Sequence, residues 1–126
     1  MPRIELAGPA DLNFVRRAWA QDVTDSSEIR LELRDLVLAR ASIVVLRPDD
    51  CPPDTIGAFI VLSSTLAHWA GTKRSWRGLG YGTMLLEHAE AAGVKQFARF
   101  GTISQKRKLE ERGWRYAPRK EVLLAR

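Results

Sequence analysis

Apolar residues recur along the chain with two periods, one typical of strands and one typical of helices. Short apolar or β-branched runs predict strands at Arg3–Leu6, Ser42–Leu46, Thr55–Leu62, Thr65–Lys73 and Lys95–Phe100. Helical spacing predicts helices from Ala10, over about Ser26–Arg40, from Thr83 to a C-cap at Gly93, and over Ser104–Arg112. Residues 114–116 and 121–125 are predicted to form a closing hairpin. This order of elements indicates one α/β domain over residues 1–126.

The first two predicted helices each have one apolar face, which we expect to contact the core. In the first helix the face is formed by Leu12, Val15 and Trp19. In the second it is formed by Ile29, Leu33 and Leu36.

The composition is that of a globular protein, because hydrophobic residues make up 45% of the 126 residues. No window approaches 18 consecutive apolar residues, so we expect no membrane span. The first residues lack the apolar core of a signal peptide, so we expect a cytoplasmic location. A single cysteine excludes an internal disulfide, and with only two histidines we expect no metal site.

The charge is unevenly distributed between the two halves of the chain. Residues 1–60 carry 7 Lys or Arg against 10 Asp or Glu, a net charge of −3. Residues 61–126 carry 13 against 5, a net charge of +8. The basic half therefore favours an anionic ligand, either the phosphates of a cofactor or nucleic acid.

A glycine-rich stretch, W-R-G-L-G-Y-G at residues 76–82, lies in this basic half between a predicted strand and a predicted helix. A helix start presents unpaired N–H groups, and glycines let an anion approach them without a Cβ in the way. The Walker loop does not fit because no lysine follows Gly82, and the dinucleotide fingerprint needs a different spacing after a first strand. The stretch therefore predicts a phosphate site of another kind, with a tight turn as the alternative.

The R-x-x-G-x-G pattern at residues 77–82 resembles the loop of the GNAT acetyltransferase superfamily. The strand before the loop, the opening I-E-L-A-G-P-A-D-L-N-F-V and the late L-E-E-R-G-W are also similar, and the chain most resembles short GNAT-like proteins encoded by phages. The resemblance implies a GNAT fold, with a mixed, mostly antiparallel sheet of about six to seven strands flanked by about four helices. It also implies an N-acetyltransferase that moves the acetyl group of acetyl-CoA to a primary amine.

The same resemblance implies a set of cofactor-binding residues. The loop would wrap the pyrophosphate of acetyl-CoA, with Arg77 acting largely through its backbone amide. The preceding strand would pair with the pantetheine arm, and a bulge at Gly71 would separate that strand from the next one. The implied residues are Ala70, Gly71, Thr72, Arg77, Gly78, Leu79, Gly80, Tyr81, Gly82 and Thr83.

The acid and base of the reaction are harder to place, because the family's usual positions carry Leu66 and Leu109 here. His68 is predicted to lie on the same strand face as residues 66, 70 and 72, so we consider it as the base that deprotonates the amine. The alternative is that His68 only fills the sheet face beside Trp69. Ser104, or water, would have to replace the missing proton donor.

Three functions remain open at this point. The first is the acetyl-CoA-dependent N-acyltransferase, with a small-molecule or peptide amine, a lysine or a nucleobase amine as acceptor. The second is a catalytically silent protein of the same fold that binds CoA or a macromolecular partner, which Leu66 and Leu109 favour. The third is a nucleic-acid-binding protein that uses the basic half of the chain.

Overall fold

The computed structural model describes residues 2–22, 28–100 and 102–125, and side chains over 2–18, 34–100 and 102–121. A six-stranded sheet in the order β1 to β6 organises these residues. Its strands are β1 (Arg3–Leu6), β2 (Ser42–Arg47), β3 (Ala58–Ser63), β4 (Leu66–Thr72), β5 (Gln96–Phe97) and β6 (Arg115–Tyr116). The first four strands are antiparallel, β5 runs parallel to β4, and β6 runs parallel to β5. The mixed, mostly antiparallel sheet is therefore as predicted.

Five helices accompany the sheet in the described part of the chain, against about four predicted. They are α1 (Pro9–Asp22), α2 (Glu28–Arg40), α3 (Tyr81–Ala91), α4 (Ile103–Glu111) and α5 (Pro118–Ala125). The predicted start of the second helix at Ser26 lies outside the described residues. The predicted stop at Gly93 is confirmed, because Gly93 follows the C-cap Ala92 with a φ of 94°.

The predicted closing hairpin is wrong, because residues 118–125 form the helix α5 instead of a strand. Proline is favoured at the first position of a helix, where its fixed φ fits and its missing N–H costs nothing. The buried Glu121 then faces the sheet from the first turn. Two strand predictions are also too long, since β3 begins at Ala58 and β5 contains only two residues.

The sheet separates two apolar cores. Leu85 and Ala89 of α3 pack with Ile60, Phe97 and Trp114 on one face. On the other face the buried residues come from α1, α2, the sheet and the segment just before β3, and they are Val15, Val37, Leu38, Ile43, Val45, Ile56, Phe59 and Val61.

The predicted core-facing stripe of α2 is wrong at Leu36, which is 48% exposed. The helix turns Val37 and Leu38 toward the core instead. The apolar face of α1 is confirmed at Val15, which is fully buried, and Leu12 packs against the same core. The side chains of Trp19, Ile29 and Leu33 lie outside the described residues.

A buried ion pair fixes the start of α1 to the sheet. Arg47 at the end of β2 donates to Asp11 Oδ2 at 2.8 Å and also pairs with Glu5 of β1. Asp11 in addition accepts a hydrogen bond from the backbone N–H of Gly8 at 2.7 Å. The hydrogen bonds from Arg47 hold the pKa of the Asp11 carboxyl below its usual range, although burial acts in the opposite direction.

Because of this ion pair, the free energy of unfolding depends on pH in the acidic range. Because the native pKa of Asp11 is lowered, its contribution is present above the unfolded value of about 3.9 and is lost as pH falls from about 5 through the native pKa. Asp11→Ala should lower the free energy of unfolding at pH 7 by about 1.5–3 kcal/mol, because the buried Arg47 loses its charged acceptor Asp11 while Glu5 still pairs with it. Urea unfolding at pH 7 and pH 3 measures both effects.

Asp35→Ala is the matched control for this prediction, because Asp35 pairs with Arg16 on the surface. It should change the free energy of unfolding by about 0–1 kcal/mol. An Asp11→Ala variant that loses as much stability on acidification as the parent would contradict the assignment.

Candidate functional site

The glycine-rich loop connects the end of β4 to the start of α3 through a short 3-10 turn at Arg74–Trp76. Two hydrogen bonds to backbone carbonyls hold it beside the sheet, one from a backbone N–H and one from a side chain. The N–H of Lys73 donates to Gly57 O at 2.8 Å, and Arg77 Nε donates to Thr72 O at 3.3 Å. The Trp76 ring stacks on Tyr81 with a centroid separation of 6.1 Å. The loop is therefore held at both ends while its glycines stay exposed.

The three alternate glycines of the loop have different structural reasons. Gly78 and Gly80 have φ values of 83° and 81°, a left-handed conformation that glycine adopts without strain. Gly82 lies in the first turn of α3, outside the left-handed region. A Cβ on Gly82 would meet only Thr72 Oγ1, at an ordinary contact distance of 3.7 Å. Neither the backbone conformation nor the packing requires a glycine at this position.

The start of α3 presents unpaired backbone donors beside this glycine. Gly80 is the N-cap and gives no side-chain hydrogen bond, and the first intrahelical bond runs from Met84 N to Gly80 O at 3.0 Å. The N–H groups of Tyr81, Gly82 and Thr83 therefore have no intrahelical acceptor. No acidic residue lies in the first turn, and the exposed cations Lys73, Arg74 and Arg77 precede it. The arrangement suits an anion.

β4 separates from β5 after its first two residues. The two strands pair only at Leu66 with Gln96 and at Ala67 with Phe97, and a last hydrogen bond joins Ala98 N to Ala67 O at 3.0 Å. Within the described residues, the remainder of β4 has β3 as its only strand partner. This part contains Ala70, Gly71 and Thr72, which are exposed or half-buried. An extended ligand can therefore reach their backbone and continue to the helix start beside Thr72.

The predicted bulge is displaced from Gly71 to His68. The register of β4 on β3 shifts between the pairs Val61–Trp69 and Leu62–Ala67, which leaves His68 as the extra residue. Ala67 and Trp69 consequently pack against opposite cores, although they are two residues apart. The prediction that residues 66, 68, 70 and 72 share one face is wrong, because a bulge inverts the alternation of side chains beyond it.

His68, the predicted base, is enclosed between β3 and α5. Its ring is 1% exposed, Nε2 lies 2.7 Å from Ser63 Oγ, and Nδ1 lies 3.0 Å from Glu121 Oε2. Glu121 is also buried and pairs with Arg99. Both ring nitrogens therefore have partners within the protein. These surroundings favour the alternative of a fixed side chain in the sheet over a base that meets an amine at the loop.

The other candidate positions for acid–base chemistry differ in exposure. Ser104 is exposed in the first turn of α4, where Thr102 and Gln105 form a capping box. Leu66 is fully buried, and Leu109 packs against the core under α3. The positions that would carry a base and an acid by resemblance therefore belong to the core.

The sequence pattern does not identify Ser63, Arg99 or Glu121 as site candidates, because they come together only through contacts with His68 and Glu121 that are distant in the chain. A local signal exists for Glu121 alone, since Pro118 favours a helix start that places Glu121 in the first turn of α5. No helix among the described residues is both long and apolar enough to cross a membrane.

The comparisons with known proteins identify the fold. No protein-family model matches the sequence, and a search of curated proteins found no relative. YjaB from Escherichia coli, in its apo form, is 25% identical with a TM-score of 0.54, over 73% of this chain and 66% of YjaB. The chain therefore spans about two thirds of the length of that protein.

Two further solved structures are similar at lower identity. An acetyltransferase from Corynebacterium glutamicum, described as histone acetyltransferase HPA2 and related acetyltransferase, is 14% identical, with a TM-score of 0.59 over 88% of this chain and 82% of that one. A GNAT family acetyltransferase from Brucella melitensis in complex with acetyl-CoA is 16% identical, with a TM-score of 0.55 over 86% of this chain and 80% of that one. The chain therefore has the fold of the GNAT acetyltransferases, as predicted, while the resemblance to phage proteins stays a prediction.

Gly80 has a left-handed φ and Gly82 does not, so replacing each of them with alanine should change stability in opposite directions. Gly82→Ala should raise the free energy of unfolding by about 0.4–1 kcal/mol, because alanine restricts the unfolded chain and fits the helix. Gly80→Ala should lower it by about 1–2 kcal/mol, because its φ is left-handed. Urea unfolding of both variants measures the difference. Destabilisation by Gly82→Ala would show that the fold itself requires this glycine.

Proposed function

We propose that the protein is an acetyl-CoA-dependent N-acyltransferase that moves an acetyl group to a primary amine. The observation that supports this most directly is Gly82, a glycine that the fold does not require, at an uncapped helix start beside Thr72. A Cβ there would stand where a phosphate must approach the N–H groups of the helix. By resemblance to the GNAT acetyltransferases, this loop binds the pyrophosphate of acetyl-CoA.

The residues of the loop and of β4 divide the binding between them. The N–H groups of Tyr81, Gly82 and Thr83 donate to the pyrophosphate, and Gly78, Leu79 and Gly80 shape the loop that holds it. The cations of the loop, including Arg77, attract the phosphates. The backbone of Ala70, Gly71 and Thr72 pairs with the pantetheine arm where β4 has left β5. The bound cofactor supplies an acetyl thioester as the activated acyl group.

Proton transfer to and from the reacting groups involves solvent and the start of α4. His68 is enclosed and already hydrogen-bonded at both nitrogens, so we assign the deprotonation of the amine to solvent. Ser104 is exposed at the start of α4. Ser104 or a water molecule provides the proton for the leaving thiolate.

Binding of the cofactor is tested first. Native mass spectrometry of the purified protein should detect co-purified CoA or acetyl-CoA, and calorimetry should measure acetyl-CoA affinity. Gly82→Ala should weaken binding about tenfold or more, since one lost hydrogen bond to a charged group costs about 1.5–3 kcal/mol. Gly80→Val combined with Gly82→Val should abolish binding.

Gly93→Val is the matched control for backbone strain. Gly93 has a left-handed φ of 94° and an open Cβ position, as Gly80 does, but it lies at the other end of α3. It should lower stability and leave acetyl-CoA affinity unchanged. Wild-type affinity in the double valine variant would refute the loop assignment.

The variant His68→Gln tests whether His68 is the base that deprotonates the acceptor amine. Glutamine keeps the polarity and much of the volume of histidine. Because His68 is enclosed, this variant should transfer acetyl groups to an amine within a few-fold of the parent rate. A loss of about 10²–10⁴-fold, with unchanged acetyl-CoA affinity, would instead restore His68 as the general base. The rate is the part of free CoA thiol release that depends on the added amine, measured over a panel of amines and corrected for release without amine.

A catalytically silent CoA-binding protein is the second candidate, and the burial of Leu66 and the packing of Leu109 favour it. The two candidates separate in the same assay. Acetyl-CoA binding without thiol release across small amines, peptide N-termini and lysine peptides would support the silent protein.

A further inference from the structure

A second hydrogen-bonded group lies away from the glycine loop, at the hairpin end of β4. Ser63 Oγ lies 2.7 Å from His68 Nε2, and His68 Nδ1 lies 3.0 Å from Glu121 Oε2. The three residues come from β3, from β4 and from α5, and they meet because the bulge turns His68 toward α5. The proposed cofactor site uses none of the three.

The order of atoms in this group is that of a nucleophilic triad. Such sites are recognised by a hydroxyl on Nε2 of a histidine and a carboxylate on Nδ1, whatever the fold and the chain order. The carboxylate keeps the proton on Nδ1, so that Nε2 accepts the proton of the hydroxyl. Arg99 pairs with Glu121 Oε1, which leaves the other carboxylate oxygen for His68.

The three residues differ in exposure as a nucleophilic site requires, with the histidine and the carboxylate buried and the serine more accessible. His68 and Glu121 are 1% and 3% exposed, whereas Ser63 is only partly buried. Ser63 is the last residue of β3 and precedes an exposed two-residue turn, in which Ser64 has a left-handed φ of 54°. The hydroxyl is therefore the member of the group that a substrate reaches.

A basic cleft adjoins this end of the sheet. It has a volume of about 340 Å³, and its lining residues are Thr65, Lys95, Gln96, Gly113, Arg115 and Lys120. Thr65 belongs to the turn after Ser63, and Lys120 precedes Glu121 in α5. Three of the lining side chains are cationic and none is acidic, so the cleft suits a carboxylate or a phosphate.

We propose that Ser63 is the nucleophile of a second acyl-transfer centre, with His68 as its base and Glu121 as the positioning residue. The substrate class is an ester or thioester that carries an anionic group, which the cleft binds. The centre is separate from the proposed transfer to amines and does not rest on it.

The reaction balances with water as the co-reactant. Ser63 Oγ attacks the acyl carbonyl while His68 Nε2 takes its proton, and the leaving alcohol or thiol departs with that proton. An acyl ester on Ser63 remains. His68 then removes a proton from water, the hydroxide attacks the ester, and Ser63 Oγ leaves as a hydroxyl with the proton from His68.

Labelling with an alkyl fluorophosphonate tests the nucleophile. Mass spectrometry of the digested protein should find the phosphonyl adduct on Ser63, with fluoride as the leaving group. Ser63→Ala should abolish the adduct. Ser64→Gly removes the neighbouring exposed hydroxyl at a left-handed position and should leave the adduct unchanged.

Hydrolysis of 4-nitrophenyl acetate tests the base and the positioning residue. His68→Gln should lower the rate by about 10²–10⁴-fold, because Nε2 is then no longer present to accept the proton of the Ser63 hydroxyl. Glu121→Gln should lower it as well and change the pH profile, because Glu121 and, through it, Arg99 face the imidazole. The 4-nitrophenyl monoester of succinate, which carries a free carboxylate, should react faster than 4-nitrophenyl acetate. Added salt should reduce this preference, because it screens the cations of the cleft.

The outcomes are distinguishable from those of the proposed function. Ser63→Ala should keep the parent affinity for acetyl-CoA, and the double valine variant of the glycine loop should keep the adduct on Ser63. Absence of the adduct in the parent protein, equal labelling of Ser64, or a hydrolysis rate that Ser63→Ala does not change would overturn the proposal. Because Ser63 is partly exposed, that variant tests the proposal even where the buried variants fail to fold.

Discussion

The bulge at His68 is the feature of the sheet on which both proposed sites depend. It coincides with the point where β4 stops pairing with β5, so that the rest of β4 has one edge without a strand partner among the described residues. Unpaired N–H and C=O groups of a strand edge can pair with another chain or with an extended ligand. The same bulge turns His68 away from that edge and toward α5. The extra residue therefore lies at the start of an unpaired strand edge and within a buried polar group.

Two buried charge clusters attach helices to the ends of this sheet. Arg47 ties α1 to β1 and β2 through Asp11 and Glu5, and Glu121 ties α5 to β4 and Arg99. Such clusters add little net stability relative to apolar packing, but they are costly to break once formed. Each of them therefore selects one position of its helix on the sheet, which apolar contacts alone specify less sharply.

The glycine loop shows how structure separates two reasons for the same residue type. The left-handed φ values of Gly78 and Gly80 account for those glycines by backbone conformation alone. Gly82 has no such reason, and its bare backbone lies beside the unpaired N–H groups of α3. The pattern of three glycines indicated an anion site. Only the φ values and the Cβ contacts identify which of these glycines the fold does not require.

Local periodicity and glycine signals were enough to predict the four antiparallel strands, the glycine loop between a strand and a helix, and the first four helices. The bulge at His68, the helix α5 and the burial of Val37 in place of Leu36 follow instead from contacts between distant parts of the chain. A bulge is set by pairing with another strand, and an eight-residue helix by what it packs against. The partners of His68 are 5 and 53 residues away in the chain, so no local pattern could bring Ser63 and Glu121 to the same ring.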